Sequence, residues 1–85
     1  MSRKTASAAT AVDDDGPSEA RQRISANLKK LRKEQGLSQE KLAEISGFHR
    51  TYVSQLERCI TNISIDGLGK VAKALDVDVR ELLKP

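Results

Sequence analysis

Gln39–Arg58, QEKLAEISGFHRTYVSQLER, is the stretch whose reading decides the fold of this chain. Its apolar residues recur at helical spacing on both sides of a break at Gly47, so it predicts two short helices joined by a tight turn. Each residue type has a physical reason. Ala43 stands where the two helices approach most closely, and a larger side chain would push them apart. Gly47 lets the chain turn sharply without a Cβ penalty. Leu42, Phe48, Val53 and Leu56 are expected to point inward and fix the crossing angle.

On a helical wheel the second of these helices divides into two sides. At about 100° per residue, Arg50, Thr51, Ser54, Gln55 and Arg58 fall within one arc of about 140°. Tyr52, Val53 and Leu56 lie opposite, and Glu57 sits between Val53 and Arg50. The outer side is almost wholly hydrogen-bonding. Its residues suit the edges of nucleic-acid bases: Arg can bond guanine in bidentate fashion, Gln can do the same to adenine, and Thr offers a hydroxyl or a methyl.

Outward from this core, the periodicity stays helical from Ser18 onward, with no alternating stretch that demands a strand. Five helices are expected. The first covers about Glu19–Gln35 and ends at Gly36; the second covers about Gln39–Ser46, capped by Ser38. The third covers about Arg50–Arg58, with His49 at its cap position. The fourth covers about Ile65–Leu75, capped by Ser64. The fifth covers about Val79–Leu83, capped by Asp78, with Glu81 completing a capping box. Hydrophobic staples support these frames: Leu37 with Leu42, Phe48 with Val53, Ile63 with Leu68, and Val77 with Leu82 each join the residue before a cap to the fourth helical residue.

Residues 1–17 read differently. They are rich in Ser, Ala and Thr, then acidic at Asp13, Asp14 and Asp15, and have too few large apolar groups to offset the entropy of ordering. A disordered arm is expected there, followed by one domain over residues 18–85.

Composition narrows the function classes. The chain has 85 residues and a net charge of +3; without the arm, the remaining 68 residues carry 13 basic and 9 acidic groups. A basic compact domain tolerates or seeks polyanions. The single cysteine, Cys59, excludes an internal disulfide, and with no signal peptide a reducing cytoplasm is expected. No stretch is long and apolar enough for a membrane span, and no Cys/His cluster points to a metal. One His and no phosphate-cradling glycine loop leave no catalytic constellation, so neither an enzyme nor a cofactor is expected.

The segments LSQEKLAEISG (37–47), RTYVSQLER (50–58), NIS (62–64) and KVAKALDV (70–77) resemble the Cro/repressor-type helix-turn-helix proteins, also called the xenobiotic response element family. The likeness covers about Ile24–Leu83, and RTYVSQLER followed by NIS is most similar to the controller proteins of restriction-modification systems. The resemblance implies an all-α, five-helix, lambda-repressor-like bundle whose third helix enters the DNA major groove. It implies base contacts from Arg50, Thr51, Tyr52, Ser54 and Gln55. It implies phosphate contacts from Gln39, Ser38, His49, Arg58, Asn62, Ser64 and Arg32. Arg32 matches a family arginine that pairs with the glutamate matching Glu57, so a structural ion pair is expected there as well. Two positions depart from the pattern: Cys59 stands where many members have Gly, and Thr61 where controller proteins often carry Arg.

The implied activity is sequence-specific regulation of transcription at a palindromic operator. One helix reads too few base pairs to find a site alone, so a homodimer through helices four and five, with Ile60, is expected. RNA polymerase is a further candidate partner, and a small-molecule ligand is not expected. The expected location is the cytoplasm, at the nucleoid. An antitoxin that masks a toxin while regulating its own operon is the alternative, and an adaptor that does not read DNA is a third reading.

Overall fold

The structure is a computed structural model, and it describes residues 16–85. Of the arm expected over 1–17, all but Gly16 and Pro17 lies outside the described residues. Four α-helices follow: α1 (Glu19–Glu34), α2 (Gln39–Ser46), α3 (Arg50–Glu57) and α4 (Ile65–Ala74). A 3-10 turn over Val79–Leu82 closes the domain.

The helices begin where hydroxyls can serve them. Ser18, Ser38 and Ser64 accept from the backbone N–H groups of Arg21, Lys41 and Gly67 at 3.2, 2.9 and 2.9 Å. Such caps contribute about 1 kcal/mol each.

They end alike. At each α-helix C-terminus a residue enters the left-handed region: Gly36, Gly47, Cys59 and Asp76, with φ of 70°, 80°, 62° and 58°. The next residue, Leu37, Phe48, Ile60 or Val77, bonds back to the carbonyl of Arg32, Ala43, Gln55 or Ala72. This is the Schellman arrangement, which satisfies carbonyls the helix leaves open. Three of these apolar residues, Leu37, Phe48 and Val77, are also the staple residues of the next element. One residue thus closes one element and opens another, which is why linkers of three or four residues suffice.

Helices one, three and four stop one residue short of their expected ends, at the cap residues Gln35, Arg58 and Leu75. The expected fifth helix is corrected more substantially: it is a 3-10 turn of four residues. The Asp78 carboxylate accepts from Arg80 N, only two residues on, at 2.8 Å. Glu81 N bonds Asp78 O at the three-residue spacing of a 3-10 turn. The Glu81 carboxylate pairs with Lys84 Nζ at 3.0 Å rather than completing a capping box. The tighter turn still delivers Leu82 fully into the core.

That core is Leu28, Leu42, Ala43, Val53, Leu56, Leu68, Val71, Ala72, Leu75 and Leu82. Full burial of each Leu or Val contributes about 1.5–3 kcal/mol. α2 packs most extensively on α3, while α1 lies against α3 and the 3-10 turn, and α4 supports α2. Buried Ala43 lies in α2, as the close approach of α2 and α3 requires.

Gly67 shows how α4 supports the turn between α2 and α3. A Cβ there would lie 3.0 Å from Ile63 Cγ1, 3.1 Å from the Ser64 hydroxyl and 3.4 Å from Phe48 Cζ. Phe48, the apolar residue of that turn, therefore seats directly on the bare backbone of α4.

Candidate nucleic-acid interface

α3 is held as a half-sunk rod. Val53, Leu56 and Glu57 are buried at 1%, 3% and 5% exposure, while Arg50, Thr51 and Arg58 are exposed. Ser54 and Gln55 are half-buried. The wheel's division into two sides is thus reproduced, with Glu57 joining the buried side. Arg50 makes no ion pair with any described residue, so its guanidinium is open to a ligand.

Tyr52 has a defined place. Its hydroxyl donates to the Asn62 carbonyl oxygen at 2.8 Å. Its ring tilts against Phe48 with centroids 5.0 Å apart. Burial pushes the phenol above its ordinary range. Tyr52 therefore ties α3 to the loop that carries Asn62 and Ser64, two of the expected phosphate ligands. Asn62 is exposed, and Ser64 combines exposure with its capping bond to Gly67 N. Ser38 does the same at the start of α2. His49 stands at the cap position of α3, but its side chain makes no cap hydrogen bond. It thus occupies the expected cap position through its backbone alone, and its side chain lies exposed beside the open first turn of α3.

The far end of α3 is anchored by a polar cluster. Arg32 of α1 donates from Nε and Nη2 to the two Glu57 carboxylate oxygens at 2.5 and 3.0 Å. Arg32 Nη1 donates to the Leu37 carbonyl at 2.7 Å. The Arg32 side chain is only 11% exposed, so the geometry favours the structural role expected for it over a phosphate contact. Gln39 Nε2 donates to Glu57 Oε1 at 3.0 Å. Burial alone would raise the Glu57 pKa, but the hydrogen bonds from Arg32 and Gln39, with the charges of Arg32 and Lys29, hold it below the usual carboxylate range. The Glu57 hydrogen bond in turn raises Arg32 above its ordinary value.

Sequence reasoning missed Ser25, whose hydroxyl donates to the Glu57 carbonyl at 2.6 Å. A signal existed: Ser25 lies two helical turns before Arg32 on the same side of α1, a small polar residue beside the Ile24/Leu28 stripe. Arg21 was missed as well; its Nη2 reaches the Cys59 carbonyl at 3.4 Å. Cys59 itself accepts the left-handed conformation that glycine would take with less strain, so the loop geometry survives that departure.

Among the described residues no group of His, Cys, Asp and Glu is arranged to hold a metal ion, and no helix is long and apolar enough to cross a membrane. The arrangement offers a hydrogen-bonding helix with basic residues at both ends, flanked by the start of α2 and the loop after α3. Chemically, such a surface can bind along a polar groove lined by anions.

A family model described as helix-turn-helix matches residues 28–82. The control protein C.SmaI of Serratia marcescens is 45% identical over 60 residues, covering 71% of this chain and 71% of that protein. The crystal structure of the restriction-modification controller protein C.AhdI from Aeromonas hydrophila is 46% identical, with a TM-score of 0.68 over 69% of this chain and 86% of that one. The transcriptional regulator SinR of Bacillus subtilis is 46% identical over 61 residues, covering 71% of this chain but 55% of that protein. A crystal structure of SinR in complex with DNA superposes with a TM-score of 0.68 over 72% of this chain and 98% of the other.

Proposed function

The chain belongs to the helix-turn-helix family, and from that premise we propose that it is a sequence-specific, DNA-binding regulator of transcription of the controller-protein kind. The observation that carries this reading is the division of α3: Arg50 and Thr51 stand exposed at its start while Val53, Leu56 and Glu57 fasten it to the domain. Arg50, Thr51, Ser54 and Gln55 read base edges, with Tyr52 adding an aromatic edge where its tether allows. Gln39, Ser38, His49, Arg58, Asn62 and Ser64 contact phosphates and set the register. The similarity to C.SmaI and C.AhdI and the likeness to DNA-bound SinR support this assignment.

The protein acts as a homodimer on a palindrome, with half-sites about one DNA turn apart. Supporting this are Ile60, Ile65, Val79 and Leu83, which leave 55%, 82%, 39% and 36% of their surface exposed around α4 and the 3-10 turn. Selection of bound duplexes from a random pool tests both parts of the reading. Enrichment of a palindrome is expected. A pool that never converges would defeat sequence-specific binding, and a single unpaired half-site would defeat the dimer.

A further inference from the structure

Glu57 is the one buried carboxylate among the described residues, and it connects three helices. It is the last residue of α3, its carbonyl is held by Ser25 of α1, and its carboxylate is held by Arg32 of α1 and Gln39 of α2. Gln39 is the first residue of α2, where the leading backbone N–H groups have no partner inside the helix.

A glutamine amide has two dissimilar ends. Its oxygen only accepts, and its nitrogen donates two hydrogens. A phosphate oxygen can use only the nitrogen. An unrestrained glutamine could as easily present its oxygen, which would repel the phosphate, and it would lose rotamer freedom on binding. Ionised Glu57 can only accept, so it selects the nitrogen end. With one Nε2 hydrogen donated at 3.0 Å, the other remains for a second acceptor.

We propose that Glu57 is a positioning residue for DNA phosphate binding: it fixes the side-chain amide of Gln39 so that the second Nε2 hydrogen is presented to a backbone phosphate beside the open first turn of α2. Arg32 serves the same end by keeping Glu57 ionised and in place. The proposal rests on the reading of Gln39 as a phosphate contact. It goes further in making the last turn of α3, which carries the base readers, and a phosphate ligand on α2 share one hydrogen-bonded group.

Two measurements test it on the full chain with a mixed-sequence DNA duplex. The first is affinity at one fixed salt concentration, because a neutral amide bonded to a phosphate displaces no counterion and leaves the salt slope almost unchanged. Gln39→Ala is expected to weaken binding about tenfold, the worth of one hydrogen bond to a charged group. Glu57→Gln, which keeps the shape but lets the Gln39 amide flip, is expected to lose a similar share, and the double variant no more than either. Undiminished affinity in Glu57→Gln beside weakened binding in Gln39→Ala would overturn the proposal, and so would undiminished affinity in Gln39→Ala.

The second measurement needs no variant. In the NMR spectrum of the wild-type protein, one Gln39 side-chain amide hydrogen is expected to be shifted and slowed in exchange before DNA is added. The other should follow on addition. A Gln39 amide that shows neither signature, or that loses the first on binding, sinks the proposal. Failure of the wild-type chain to bind any duplex would instead sink the broader reading of a DNA-binding protein.

Discussion

Arg32 grips Glu57 with two nitrogens across the gap between α1 and α3, at 2.5 and 3.0 Å, with only 2% of the carboxylate side chain exposed. An enclosed pair of this kind adds little net stability over an apolar pair of the same shape, but removing one partner strands the other charge. Arg32→Ala is therefore expected to cost about 3–5 kcal/mol in urea unfolding. Replacing both residues, as in Arg32→Met with Glu57→Leu, is expected to recover most of that. A loss under about 1 kcal/mol for Arg32→Ala would show that the carboxylate does not depend on its partner.

The same pair sets an acid limit. Glu57 is held below its ordinary range because the bonds from Arg32 and Gln39 outweigh the raising effect of burial. A carboxylate with a depressed folded-state pKa stabilises fully above its unfolded value, and that contribution disappears as the pH falls through the folded value. Stability is thus expected to decline from about pH 4.3 downward. Denaturant midpoints measured across that range in wild type and in Glu57→Gln check this. The variant should show the shallower acid decline, and parallel curves would refute the assignment.

Cys59 and Asp76 occupy left-handed conformations at φ 62° and 58°. That costs a non-glycine residue about 1–2 kcal/mol. A glycine there adds unfolded-state freedom amounting to about 0.4–1 kcal/mol in the other direction. The first effect is the larger, so Cys59→Gly is expected to raise stability by up to about 1 kcal/mol, read as a higher thermal midpoint. A drop would mean that the thiol makes packing contacts that outweigh the relief of strain.

Gly67 and Gly69 lie two residues apart in α4 and should respond oppositely to alanine. A Cβ at Gly67 would meet Ile63, Ser64 and Phe48, whereas one at Gly69 meets nothing within 4 Å. Gly67→Ala is expected to destabilise by about 1–3 kcal/mol, the usual cost of overpacking. Gly69→Ala is expected to gain up to about 1 kcal/mol from helix propensity. Thermal melts of the two variants give the comparison, and gains at both sites would show that the seat of Phe48 has slack.

Arg50→Ala is expected to weaken binding to the selected palindrome by about 1–3 kcal/mol while changing affinity for random duplexes less. Gln39→Ala should weaken both to a similar degree. Titrations at one fixed salt concentration distinguish the roles, and the reverse pattern would exchange the assignments of base reader and phosphate contact.

Most of the architecture was legible because the local signals agree. Ser38 and Ser64 mark helix starts, Gly36 and Gly47 mark ends, and Leu37, Phe48 and Val77 serve both the element behind and the element ahead. The 3-10 turn was misread because four residues satisfy an i, i+3 pattern as well as the start of an α-helix does. The backbone bonds from Glu81 N to Asp78 O and from Leu83 N to Arg80 O, each at a three-residue spacing, distinguish them. On α3, the exposed Arg50 and Thr51 and the buried Val53 and Leu56 followed from periodicity alone. The partners of Glu57 did not all follow. Ser25 and Gln39 lie 32 and 18 residues away, and no pattern within α3 brings the first to the Glu57 carbonyl and the second to its carboxylate.

The bond from the Tyr52 hydroxyl to the Asn62 carbonyl stiffens the proposed DNA-facing surface before any duplex arrives. The loop after α3 is latched to that helix, so docking does not have to immobilise it afresh. Ordering a flexible segment on contact weakens an encounter, and a segment already ordered during folding carries no such penalty. Cutting the latch with Tyr52→Phe would therefore show itself in faster release rather than in slower capture, since the charges that guide approach remain where they were.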